Sequence, residues 1–329
     1  MKIIEVVADA GHVDTLLGIA QQHEAVDAWA GPAGEDGRVA VRMLVAPDAR
    51  QNVIDALQSI LGAADARIVI LPVEATLPAP KAGEKPAPAG TTREELYSDI
   101  ERGARLDLNF LLLVFLSTIV ASVGLLEDSV AIVVGAMVIA PLLGPNLGLA
   151  LGTSLGDTQL VVRSLRTNFA GLGLAVGLSV LIGLFWELDY TSAELMARTV
   201  VGLDSIILAL ASGAAAVLSL TTGLSTALVG VMVAVALMPP AATLGMMLGA
   251  GRWDFALSAG LLLAVNIVCV NLAAKVVFLF KGVRPRTWLA QRKARQSMLI
   301  YGAFWLISLL VLLGAIVLRH RFGVNTGAW

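Results

Sequence analysis

The stretch GAMVIAPLLGPNLGLALG, residues 135–152, lies in an uncharged run between Asp128 and Asp157 and carries two prolines, Pro141 and Pro145. The run is long enough to cross a bilayer as a helix, for which about 20 apolar residues suffice. Proline removes a backbone donor and clashes with the preceding turn. In hydrocarbon a freed carbonyl is costly unless something binds it. We therefore expect a broken helix whose backbone groups line a cavity or are packed in protein.

The composition indicates an integral membrane protein. Of 329 residues, 57% are hydrophobic and 15% are charged, and the mean hydropathy is +0.82. Soluble domains contain about 25% charged residues. The apolar segments are long and do not alternate, which favours helices over an outer-membrane barrel. No secretory signal peptide is evident, so we expect a cytoplasmic N-terminus.

Seven apolar segments are each long enough to span. The loop KGVRPRTWLAQRKARQ, which contains residues 282–296, has six basic residues and no acidic one, which predicts a cytoplasmic position. Six crossings from a cytoplasmic start return the chain to that side, and a last span with its tail occupies 297–329. The predicted spans are 108–125, 130–155, 168–186, 203–220, 224–250, 255–280 and 297–318.

The N-terminal residues 1–75 differ from the rest and show the order βαββαβ, which predicts a small α+β domain, ferredoxin-like or ACT-like. Such a domain is either a folding and assembly module or a regulatory ligand sensor. A Pro/Ala/Gly linker follows at 76–92. Thr92 and Glu95 then form a capping box for an amphipathic helix at 93–106, expected at the cytoplasmic surface.

Two stretches of the membrane part resemble each other. The segment from Gly135 matches the segment from Gly230, with Pro145 opposite Pro240 at the same offset. We therefore predict two repeats, 107–186 and 187–281, each with three crossings and a proline-broken second helix. An odd number of crossings makes the repeats inverted, as in many secondary transporters. Further matched pairs are Met137/Met232, Gly148/Gly245, Gly152/Gly249, Asp157/Asp254, Asp107/Asp204, Ser129/Ser225 and Asn168/Asn266.

The two predicted breaks mark a candidate substrate or ion site. Half-helices starting at Asn146 and Ala241 would direct the positive ends of their dipoles at the site, which suits an anion. The carbonyls that precede each half-helix would suit a cation. Helix dipoles alone therefore do not decide the charge of the ligand. The alternative is a simple kink with GxxxG packing. Asn271, Thr221 and Thr222 are further candidates for internal contacts. The predicted site residues are Pro141, Gly144, Pro145, Asn146, Asn168, Pro239, Pro240, Thr243 and Asn266.

Two aspartates begin matched helices. Asp107 and Asp204 are predicted to act as gating or proton-coupling carboxylates, since ionisable groups within spans are costly. The alternative is that each carboxylate stabilises a helix N-terminus at an interface. Lys275 is expected to reach the cytoplasmic surface with its amine, and the alternative is a role in binding substrate.

The run VGLLEDSVAIVVGAMVIAPLLGPNLGLALGTSLGD, residues 123–157, contains the pattern GAM-x-I-x-P-L-x-GP. In this pattern the chain resembles the core of the bacterial membrane family designated domain of unknown function 389, over about residues 105–280. The resemblance implies a multi-spanning protein of the bacterial cytoplasmic (inner) membrane with a ferredoxin-like N-terminal segment. The designation of the family leaves the substrate open.

The sequence offers no catalytic constellation. It contains no HExxH or Walker motif, no Ser/His/Asp set and no metal spacing among its three histidines and one cysteine. We therefore expect no enzyme, no cofactor, no metal and no nucleic-acid partner. The predicted function is transport of a small solute or ion by a bilayer-embedded homo-oligomer. The main alternative is a membrane-anchored sensor or scaffold that moves no solute, and an enzyme acting on lipid is a third.

Overall fold

The computed structural model describes residues 1–61, 66–73, 92–222, 226–283, 303, 305–314 and 316. It divides into two compact units, one built on residues 1–95 and the other on the helices from Leu96 onward. Residues 76–91 of the expected linker (76–92) and residues 284–296 of the expected basic loop (282–296) lie outside the described ranges.

The N-terminal unit contains a four-stranded antiparallel sheet with the order β2-β3-β1-β4. Alternation places Ile4, Val6 and Ala8 of the first strand on one buried face, where they pack with residues of both helices. The predicted order of strands and helices is confirmed. The elements are β1 Lys2–Asp9, α1 Val13–Gln22, β2 Asp27–Ala33, β3 Arg38–Val45, α2 Arg50–Leu61 and β4 Arg67–Pro72.

The predicted capping box begins α3, Arg93–Gly103. The amide of Glu95 donates to Thr92 Oγ1 at 3.2 Å, and the amide of Thr92 donates to Glu95 Oε2 at 3.1 Å. Two donors at the start of the helix are thereby satisfied. The capping prediction is confirmed.

The second unit is a bundle of apolar helices, and the protein is a multi-pass membrane protein. Among the described residues five helices are long and apolar enough to span, or six if α5 and α6 form one bent span. A short apolar helix, Trp305–Gly314, lies within the predicted seventh segment. The helices are α4 Leu108–Leu126, α5 Val130–Ile139, α6 Leu143–Leu155, α7 Thr158–Phe185, α8 Ala193–Ala197, α9 Leu203–Thr222, α10 Thr226–Gly249 and α11 Trp253–Phe280.

The third predicted segment, 168–186, starts too late. Helix α7 begins ten residues earlier, because Asp157 Oδ1 accepts from the amides of Gln159 and Leu160, each at 3.0 Å. The first turns are polar, so hydropathy alone does not reveal them. Arg163 and Arg166 lie within these first turns of the helix.

Glycines allow α10 to pack closely on α7. A Cβ at Gly245 would overlap the carbonyl of Val176, and one at Gly249 would overlap the carbonyl of Val180. These two glycines therefore serve helix packing, as the GxxxG alternative predicts.

Candidate functional site

The first predicted break is present between α5 and α6. The two helices are bent by 55° across Ala140–Leu142, where Pro141 interrupts the backbone hydrogen bonds. Pro145 lies in the first turn of α6, where a missing donor is tolerated. The second half of the span therefore begins at Leu143, three residues before the predicted start.

A pocket of about 570 Å³ opens beside this break. The amides in the first turn of α6 have no side-chain cap, and Leu143 and Gly144 of this turn line the pocket. Gly144 approaches the end of α3 so closely that a Cβ there would overlap the carbonyl of Gly103. The lining residues are Asp99, Ile100, Arg102, Gly103, Val138, Ile139, Ala140, Pro141, Leu143, Gly144, Leu147, Leu220 and Gly230.

A chain of three buried asparagines begins at the same break. Asn146 Nδ2 donates to the carbonyl of Leu142 at 2.8 Å and to Asn168 Oδ1 at 3.2 Å. Asn271 Nδ2 donates to Asn146 Oδ1 at 3.1 Å and to the carbonyl of Ile267 at 2.9 Å. Asn271 Oδ1 is buried and has no hydrogen-bond partner in the described part of the chain. The chain links α6, α7 and α11 through uncharged amides.

The prediction of a second break, in α10, is wrong. Helix α10 continues through Pro239 and Pro240, and no half-helix begins at Ala241. Pro240 cannot donate to Ala236, four residues earlier. Asn266 Nδ2 supplies the missing donor, at 2.8 Å from the carbonyl of Ala236. A side chain of α11 therefore replaces the lost backbone bond and helps to keep the helix intact.

Helix α11 connects the two proline regions. Asn266 donates a hydrogen bond to α10, and Asn271 donates one to α6. These two asparagines are five residues apart on α11, or about 7.5 Å along its axis. Thr243, one turn beyond the prolines of α10, is fully buried, and its hydroxyl has no partner among the described residues. Of the predicted site residues, Asn146 and Asn168 are in direct contact, whereas Asn266 and Thr243 belong to the α10 region.

Two polar side chains near the site are placed in ways that the sequence did not predict. Ser117 of α4 was not predicted, yet its Oγ donates to the carbonyl of Ala136 at 2.7 Å, in the last turns of α5. Lys275 is only 3% exposed. The expectation that its amine reaches the surface is therefore wrong. It lies one helical turn beyond Asn271, a spacing that marks both residues as neighbours on one helix face.

The two predicted coupling carboxylates lie at helix starts. Asp107 Oδ1 accepts from the amide of Phe110 at 2.7 Å and caps α4. Asp204 lies in the first turn of α9. Both are exposed, and neither hydrogen-bonds to the asparagine chain among the described residues.

Helix α3 is attached to the start of α7 by polar contacts. Tyr97 Oη donates to Asp157 Oδ2 at 2.6 Å, and burial with this bond raises the pKa of Tyr97 to about 12. Glu101 forms an ion pair with Arg163. Within the described ranges, no three His, Cys, Asp or Glu side chains are grouped closely enough to hold a metal ion.

Comparisons with known proteins identify the family. The profile of the family described as "Domain of unknown function (DUF389)" matches residues 137–272. An uncharacterized protein of Methanocaldococcus jannaschii is 32% identical over 293 residues, which cover 89% of this chain and 91% of that protein. This relative is archaeal, so such proteins are not confined to bacteria. No solved structure gives a significant match. The chain therefore belongs to the DUF389 family.

Proposed function

We propose that the protein transports a small solute or ion through the helix bundle, around the break between α5 and α6. The observation that carries the proposal is the buried chain of Asn146, Asn168 and Asn271 at a broken membrane helix. Polar side chains inside a membrane are costly, and irregular backbone there is typical of helices that line a pathway. The pocket beside the break supports this assignment.

The chemistry of the chain suits a solute that exchanges hydrogen bonds with amides. Asn271 Oδ1 offers an acceptor, and Asn146 offers both a donor and an acceptor. A passing solute would replace the Asn146–Asn168 and Asn146–Asn271 bonds in turn. Movement of α6 at the bend would make these groups accessible from alternate sides of the membrane.

The finer architecture is part of the same proposal. The N-terminus is cytoplasmic, the chain crosses seven times, and 107–186 and 187–281 are inverted repeats. In support, α7 and α11 each contain 28 residues. Each follows a glycine with positive φ, Gly156 or Gly251.

The N-terminal unit is proposed to be a ferredoxin-like domain that regulates transport or organises a homo-oligomer. The sheet order β2-β3-β1-β4 with antiparallel neighbours supports this fold. No catalytic role is proposed for either unit, and no cofactor enters the proposal.

The test is flux into proteoliposomes that contain the full-length protein, with K⁺, Na⁺, Cl⁻, phosphate and neutral amino acids as probes. We expect at least one probe to move, and Asn146→Leu to slow it about tenfold, the effect of one lost hydrogen bond of about 1.4 kcal/mol. Asn109→Leu is the matched control, because Asn109 is exposed in the first turn of α4. It should retain the wild-type rate.

A second measurement does not depend on knowing the solute. Asn146→Cys in a Cys269→Ser background should react with a membrane-impermeant thiol reagent, since a transport pathway admits water. If no probe moves and this cysteine is inert from both faces, the transport proposal fails and the sensor or scaffold function remains.

A further inference from the structure

A second pocket, of about 850 Å³, lies where α4 and α7 begin. Three of its lining residues are arginines: Arg105, Arg163 and Arg166. We propose that this pocket binds the phosphate-bearing headgroup of an anionic phospholipid. The inference is independent of the proposed transport function.

The charge of the pocket is positive. Asp107 also lines it, but this carboxylate caps α4, because its Oδ1 accepts a hydrogen bond from the amide of Phe110. Glu101, beside the pocket, forms an ion pair with Arg163 and has an oxygen 4.0 Å from Arg105. The side chain of Arg166 is exposed and has no hydrogen bond or ion pair within the part of the chain that the structure describes. Its guanidinium can therefore bind a phosphate group bidentately.

The start of α7 itself does not supply the anion site. Its amides at Gln159 and Leu160 already bond to Asp157. The side chains of Thr158 and Gln159 line the pocket and are exposed, so they can donate to headgroup oxygens. The arginines and these two side chains form the recognition set.

Exposed apolar side chains favour a lipid over a free phosphate ion. Val162, Arg166 and Phe169 follow one another at helical spacing and share one face of α7. Val162 is 45% exposed and Phe169 is 74% exposed. Leu106 also lines the pocket and is exposed. A phospholipid contacts both the basic group and this apolar surface, whereas phosphate uses only the basic group.

The test measures how much dioleoyl phosphatidylglycerol binds to the full-length protein in phosphatidylcholine nanodiscs that contain increasing amounts of this anionic lipid. We expect saturable binding that weakens as salt is raised. Arg166→Gln should weaken it about fivefold, the effect of one basic residue near an anionic surface. The double variant with Arg105→Gln and Arg166→Gln should bind the lipid more weakly still.

The matched control is Arg67→Gln. Arg67 is exposed in β4, has no ion pair among the described residues and does not line the pocket. It should bind the lipid as the wild type does. The proposal is overturned if Arg166→Gln binds as tightly as the wild type, or if inorganic phosphate competes at the affinity of the lipid.

Discussion

The hydrogen bond from Asn266 to the carbonyl of Ala236 replaces the backbone bond that Pro240 cannot make in α10, and a double-mutant cycle tests this explanation. In Pro240→Ala the new amide at position 240 can bond to Ala236. The side-chain bond from Asn266 then becomes redundant. Asn266→Leu should therefore destabilise the wild type more than it destabilises Pro240→Ala.

The magnitude follows from burial. Asn266→Leu leaves the carbonyl of Ala236, in a residue 3% exposed, without a partner. An unsatisfied buried group costs about 1–3 kcal/mol. Asn266 Oδ1 has no partner among the described residues, so removing it recovers part of that cost. Couplings measured in membrane helices average about 0.6 kcal/mol and reach about 1.7 kcal/mol. We expect a coupling free energy of about 1 kcal/mol.

The assay is reversible unfolding in mixed micelles by added dodecyl sulfate, followed by circular dichroism for the wild type, both single variants and the double variant. Ser258→Ala is the matched control on α11, because Ser258 Oγ donates to the carbonyl of Asp254 within the same helix. It should show no coupling to Pro240→Ala. If Asn266→Leu and Pro240→Ala are additive within about 0.3 kcal/mol, the explanation is refuted.

Three further outcomes are expected. Gly144→Ala should lower the free energy of unfolding by about 1–3 kcal/mol because its Cβ overlaps backbone, whereas Gly135→Ala, with open space around it, should not; equal melting temperatures would contradict the close approach. Because folding raises the pKa of Tyr97 to about 12, its stabilising contribution is complete below about pH 10 and is lost as pH rises to about 12. The wild type should therefore lose thermal stability more steeply than Tyr97→Phe in that window, and parallel curves would exclude the effect. Asp107→Ala should cost about 1 kcal/mol of stability as a lost cap, with flux per folded protein unchanged; loss of flux would instead support the predicted coupling role.

The break at Pro141 was predictable because its cause is local. A proline in an apolar run removes a bond that nothing nearby in the sequence replaces. The capping box of Thr92 and Glu95 is local in the same way, and so is the alternation that defines β1. Each of these predictions rests on residues within a few positions of one another.

The continuity of α10 was not predictable because the compensating donor lies 30 residues away. Asn266 acts on Ala236 only once α11 has packed against α10. Matching Pro145 to Pro240 therefore suggested two equivalent breaks where the tertiary structure allows one. The asparagine chain has the same origin, since Asn146 and Asn271 are 125 residues apart. Sequence alone named these residues as polar candidates but not their pairing.

The length of α7 has a consequence for the bilayer around it. Its 28 residues extend about 42 Å at 1.5 Å per residue, against a hydrocarbon thickness of about 30 Å. The helix must tilt or project by about two turns, and its glycine-mediated contact with α10 fixes the angle available to it. A thinner or thicker membrane therefore changes the tilt that α7 requires and strains its contact with α10. The acyl-chain length of the lipids thus acts directly on the packing of the bundle.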